Sequence, residues 1–165
     1  MTAKYLASDN STINTLTVTN TNGTYSVTDG ASGGAQFQVA AINPSYSSSG
    51  KLVVGGYQLT TSNVSITGAN FTSMMMVGSM TVDHKSITVS GITASDKVYD
   101  GNTSDTVATT NAVYTGLVTG DLLSVAATGV FADKNVGTGK TVNLSSTYSG
   151  ADLGNYIITD QASTT

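Results

Sequence analysis

Lys97-Val98-Tyr99-Asp100-Gly101-Asn102-Thr103 is the stretch on which the reading of the fold turns. Residues 86–98 alternate apolar and polar side chains as they run into it, which predicts one long strand. Ile87, Val89 and Ile92 are its expected core positions. Tyr99 stands where that strand ends, with its ring expected inside and its hydroxyl on a backbone partner. Asp-Gly then turns the chain: Gly101 suits positive φ, and Asp100 can cap the turn through its carboxylate.

Outward from this stretch the pattern repeats. Downstream, strand-length pieces are expected at residues 106–114, 122–131, 141–148 and 156–159. Only residues 116–123 could hold a helical turn. Gly137 and Gly139 again suit positive φ, Asp133 suits a turn cap, and Tyr156 suits a strand end. Upstream, Thr15-Leu16-Thr17-Val18-Thr19, residues 24–27, 37–42 and 63–67 alternate in strand fashion. Gly55-Gly56 marks a break or bulge between residues 52–54 and 57–59. Asp83-His84-Lys85 concentrates charge and marks the expected boundary.

Composition agrees. Of 165 residues, 10% are charged, against roughly 25% in an average globular chain. Every acid is Asp and every base is Lys. Ser, Thr, Asn and Gly disfavour helix, while Thr, Val, Ile and Tyr favour strands. The absence of Arg and a net charge of -4 argue against nucleic-acid partners. An acidic surface disfavours anionic membranes, and the apolar cluster Met74-Met75-Met76-Val77 is too short to span one. Without cysteine there is no disulfide and no thiolate metal site. No apolar run follows Met1, so no signal peptide is read, and the chain reads as part of something larger.

An internal echo suggests two related modules. Lys51-Leu52-Val53-Val54-Gly55-Gly56 resembles Lys134-Asn135-Val136-Gly137-Thr138-Gly139. Thr67-Gly68-Ala69-Asn70-Phe71 resembles Ser149-Gly150-Ala151-Asp152, with Asn155-Tyr156 shortly after. The expected domains are residues 1–85, a diverged β-rich module, and residues 86–165, a second module that can lack its last strand. The expected fold class is all-β with minimal helix, each module an Ig-like sandwich or a β-grasp-like sheet.

Residues 86–165 resemble the YDG-type repeat of large bacterial surface and secreted proteins, including filamentous-haemagglutinin-like adhesins. The resemblance rests on Ile87-Thr88-Val89, the stretch 97–103, Thr119-Gly120-Asp121, Phe131-Ala132-Asp133-Lys134-Asn135-Val136-Gly137-Thr138-Gly139-Lys140 and Ser149-Gly150-Ala151-Asp152-Leu153-Gly154-Asn155-Tyr156. The first half has no Tyr-Asp-Gly, and its residues 51–82 look like a diverged relative. The resemblance implies tandem β-rich modules of a long surface protein, with neighbouring modules as partners. It does not imply a catalytic site; from the residues themselves no cofactor other than a possible calcium, and no membrane insertion, is expected.

Several residues invite chemistry and are weighed against simpler roles. Asp96, Asp100, Asn102 and Asp105 could offer oxygens to calcium, but their spacing is not that of an EF-hand and Lys97 sits among them, so turn capping is the favoured role. His84, the only histidine, cannot build a histidine metal site alone. Asp100 and Asp133 could form a glycosidase-like pair, although turn and strand-end roles are simpler. Gly137-Thr138-Gly139-Lys140-Thr141 lacks the spacing and following helix of a phosphate loop and is rejected. Thr15, Thr17 and Thr19 could face ice or polysaccharide but read as a solvent face. Tyr5, Tyr25, Tyr46, Tyr57 and Tyr114 could stack on sugars, yet nothing groups them. Glycosylation at Asn10, Asn22, Asn63, Asn70, Asn102 or Asn143, and a Lys-Asn isopeptide beside a buried acid, are further alternatives. The expectation is an extracellular, non-enzymatic spacer of a bacterial surface adhesin, with a module contacting a glycan, ice or a host protein as the alternative.

Overall fold

The computed structural model describes residues 2–6, 12–21, 24–28, 34–67, 73 and 78–165, with side chains from residue 18 onward. Met74, Met75 and Met76, and the possible glycosylation sites Asn10, Asn22 and Asn70, lie outside the described residues. The chain is all-β and divides into two compact units. The first comprises Met1–Pro44 with Gly56–Thr81, and the second Ser45–Gly55 with Val82–Thr165.

In the first unit, β1 (Thr2–Leu6) pairs antiparallel with β2 (Thr12–Thr17). A five-stranded sheet follows in the order β3 (Thr19–Thr21), β4 (Thr24–Thr28), β5 (Gly34–Ala41), β6 (Gly55–Thr67) and β7 (Gly78–Val82). Alternation puts Ala35 and Phe37 of β5 inside, with Val27 and Tyr57 also buried. The Tyr25 and Phe37 rings stack at 5.5 Å between directly paired positions of β4 and β5. β6 runs unbroken from Gly55; the irregularity falls between Gln36 and Gln38 of β5 and not at Gly55-Gly56.

The second unit begins with β8 (Lys85–Ser90) and β9 (Thr93–Ala94). The expected single strand over residues 86–98 is therefore two short ones, and residues 95–100 carry none. Gly91, at φ 82°, makes the break: a Cβ there would lie 2.4 Å from the Asn111 carbonyl oxygen. Next come β10 (Ser104–Asp105), β11 (Val107–Ala108), β12 (Val113–Thr115), β13 (Ser124–Phe131) and β14 (Val142–Ser149). A 3-10 turn, Leu153–Asn155, precedes β15 (Tyr156–Thr159) and β16 (Ser163–Thr164). Residues 116–123 form turns and no helix. Hydrogen bonds order one sheet as β10-β13-β14-β16 and another as β12-β8-β15, while β9 pairs with β11. β15 lies parallel to β8, so two segments distant in sequence meet side by side.

Ile87, Val89 and Ile92 are buried as their pattern predicts, and they form the core of this unit with Val142 and Tyr156. Gly129 of β13 leaves room for that packing. A Cβ there would come within 2.6 Å of Val107 Cγ1 and 2.7 Å of Val142 Cγ1.

Candidate functional site

Two loops of the second unit are each closed around a lysine. In the first, Asp100 Oδ1 accepts from Asn102 N at 3.1 Å, and Asn102 Oδ1 accepts from Ser104 N at 3.1 Å. These are the carboxylate and amide turn caps that Asp-Gly-Asn favours. The Lys97 ammonium reaches Asp100 Oδ1 at 2.9 Å, Asn102 Oδ1 at 2.6 Å and the Ser104 carbonyl at 2.7 Å. The hydrogen bond from Lys97, helped by the Asn102 amide, holds the Asp100 carboxyl below its ordinary range.

The second loop uses the same parts in another order. Asp133 Oδ1 accepts from Asn135 N at 2.7 Å, while Lys140 Nζ donates to Asp133 Oδ1 at 2.5 Å and to the Asp133 carbonyl at 3.0 Å. Lys140, then Asn135, depress the Asp133 carboxyl likewise. Gly101 and Gly139 take the expected positive φ, at 80° and 60°; Gly137 does not.

The two loops line one open cavity of about 420 Å³, together with Phe131, Val142 and Thr165. Asp100 and Asp133 thus meet at one cleft, each already bound to a lysine. Around it Val98 is 88% exposed, Val136 84% and Tyr99 63%. Tyr99 therefore does not bury its ring as expected, because residues 95–100 leave the sheet before reaching it.

The four calcium candidates do not act as one set. Asp100 and Asn102 share the Lys97 ammonium, which occupies the oxygens a cation would need. Asp96 is exposed, and Asp105 sits in β10 opposite Gly129. Among the described residues no group of three or more His, Cys, Asp or Glu could hold a metal ion. Lys97, Asn102 and Asp100 do bring together the residue types of an isopeptide, but Asp100 is 45% exposed and not the buried acid that reaction needs. His84 lies exposed between β7 and β8. Thr19 is exposed; the side chains of Thr15, Thr17 and Tyr5 lie outside the described residues. Of the other tyrosines, Tyr57 is buried and Tyr46 is 61% exposed. Of the described glycosylation candidates, Asn102 Nδ2 already donates to Asp100 and Asn63 Nδ2 to Gln38.

A second cluster was not legible as a site. Asp121 and Asp152 are both buried. Asp152 Oδ1 accepts from Ser48 N at 2.9 Å and Asp152 Oδ2 from Leu122 N at 2.7 Å. Asp121 Oδ1 accepts from Ser49 N at 3.1 Å, and its other oxygen from the Tyr156 hydroxyl at 2.5 Å. Tyr156 in turn accepts from Val118 N at 3.2 Å, so its ring is inside and its hydroxyl has a backbone partner, as predicted. Asn155 Oδ1 accepts from Val54 N at 3.0 Å.

Burial opposes charge on Asp121, but hydrogen bonds from Ser49, Tyr156 and Ser47 outweigh it and bring its pKa down to about 2. Asp152 is also lowered, first by the Leu122 amide and then by Ser48. The Tyr156 hydroxyl is pushed up by burial and by Asp121. In the sequence these residues stand out only within the stretches 119–121 and 149–156 that carry the YDG-type resemblance, with no role attached to Asp121 or Asp152.

Short strands, a small core and side chains bonded to turn backbones define an all-β module whose loops are fixed by polar contacts. Residues 83–165 match the YDG domain, and the chain belongs to that family. No curated protein and no solved structure matches the chain.

Proposed function

We propose that the chain is a structural spacer, a stalk repeat of a large bacterial cell-surface or secreted adhesin that performs no catalysis. One observation carries this reading: at both lysine-closed loops and at the buried carboxylates, the polar groups are engaged within the second unit. Such contacts hold a shape, which is what a spacer needs. The resemblance of residues 51–82 to the later repeat supports a preceding diverged module, and neighbouring repeats as partners. Low charge and the absence of cysteine suit an extracellular position.

A second reading is favoured by the exposed Val98, Tyr99 and Val136 around the cavity: an adhesion module contacting a glycan, ice or a host protein. Glycan and matrix-protein arrays run with the wild type and Tyr99→Ala separate the two. The spacer reading expects no saturable binding. Binding that saturates and is lost in Tyr99→Ala would replace it with the second.

A further inference from the structure

The buried carboxylates face a segment that lies well upstream and outside the residues matching the YDG domain. Residues 45–55 connect β5 to β6 along the chain and belong to the second unit. They form a tight turn of their own. Ser47 N donates to the Lys51 carbonyl at 2.8 Å, Gly50 N to the Ser47 carbonyl at 2.9 Å, and Tyr46 bridges to Leu52. This geometry leaves two successive amides, those of Ser48 and Ser49, directed outward.

Each of those amides meets one carboxylate: Ser48 meets Asp152 and Ser49 meets Asp121. A third amide, Val54 N, meets the Asn155 side chain. The remaining carboxylate oxygens are held by Leu122 N and the Tyr156 hydroxyl, so each acid also has a partner outside the turn. Gly120 packs closely against the turn. A Cβ there would stand 3.2 Å from Ser49 Cβ, and the residue holds φ 98°. No lysine reaches either acid among the contacts described; amides and hydroxyls satisfy them.

We propose that Asp121, Asp152 and Asn155 form a receptor for a small, serine-rich turn from upstream in the chain. The turn is recognised through its main-chain N–H groups together with the hydroxyls of Ser47, Ser48 and Ser49. The segment that matches the YDG domain is thereby completed by residues 45–55, which lie outside it. The ligand class is a tight turn presenting two successive amides and small hydroxyl side chains. Recognition by amides and small hydroxyls leaves the Lys51 side chain unread, so turns that keep the serines and differ there can occupy the site. This goes beyond the spacer reading and does not depend on it, since a glycan-binding module could carry the same receptor.

Amide hydrogen exchange on the full chain, read by NMR, tests it. In the wild type, Ser48, Ser49 and Val54 exchange slowly. Asp152→Ala speeds Ser48 and Leu122 by about tenfold or more, and Asn155→Ala does so for Val54, while Ile87 and Val89 in β8 keep their protection. If Asp152→Ala fails to fold, Asp152→Asn serves: one acceptor oxygen becomes a donor, so Ser48 or Leu122 loses protection. Lys51→Ala leaves all three turn amides protected. Wild-type amides exchanging at open-loop rates, or a Ser48 amide indifferent to both Asp152 variants, would overturn the receptor. Loss of protection in Lys51→Ala would overturn recognition by amides and small hydroxyls alone.

Discussion

Tyr156→Phe removes one oxygen from the second unit and leaves the ring in place. That oxygen donates to Asp121 and accepts from Val118 N. A hydrogen bond to a charged group contributes about 1.5–3 kcal/mol and a neutral one about 1 kcal/mol. Asp121 keeps 9% exposure, so water replaces part of what is lost, and the lower end applies: about 2 kcal/mol. For a unit of this size the melting point falls by roughly 10 °C.

The measurement is the loss of the Ile87 and Val89 amide signals on heating, because both report on the second unit alone. A pH series adds a second readout. The pKa of Asp121 is depressed from 3.8 to about 2, so its contribution is complete above the ordinary value and is lost as pH falls towards the folded one. Without the Tyr156 hydroxyl the depression shrinks. The gap between wild type and variant is therefore widest at neutral pH and narrows as Asp121 protonates in both. A melting point within about 2 °C of wild type, or a gap that widens in acid, would refute the assignment.

Three other perturbations test separate parts of the structure. Gly120→Ala puts a methyl against Ser49 at positive φ and is expected to cost about 1–3 kcal/mol in chemical denaturation; a neutral result would mean that the turn does not seat there. Gly129→Ala drives a methyl between Val107 and Val142 and is expected to destabilise the second unit by about 1–3 kcal/mol, read as a lower denaturation midpoint at unchanged slope. Added calcium is expected to leave the melting point unchanged, because the Lys97 ammonium already holds the oxygens of Asp100 and Asn102; a calcium-dependent rise of several degrees would contradict this.

Much of the local structure could be read from the residue pattern. Period-two alternation located the buried face at Ile87 and Val89, because a strand must send alternate side chains to opposite sides. Asp-x-Asn at 100–102 and 133–135 gave the turn caps, because that hydrogen bond closes within three residues. Strand continuity was less legible. Gly91 breaks the strand because the Asn111 carbonyl stands where a side chain would be, and that neighbour is remote in sequence. Tyr99 was misplaced for a related reason: the chain departs from the sheet before reaching it.

The sequence by itself determined the all-β class, the turn chemistry and the kinship of residues 83–165 with the YDG domain, all of which depend on residue type and short spacing. Tertiary structure alone decided that residues 97–103 and 133–140 share one cleft, and that Asp121 and Asp152 hold the turn at 45–55. A hydrogen bond between Ser48 and Asp152 spans 104 positions, and its donor is an amide that every residue but proline possesses. No pattern of side chains marks which amide a carboxylate will bind, so only the folded chain could reveal it.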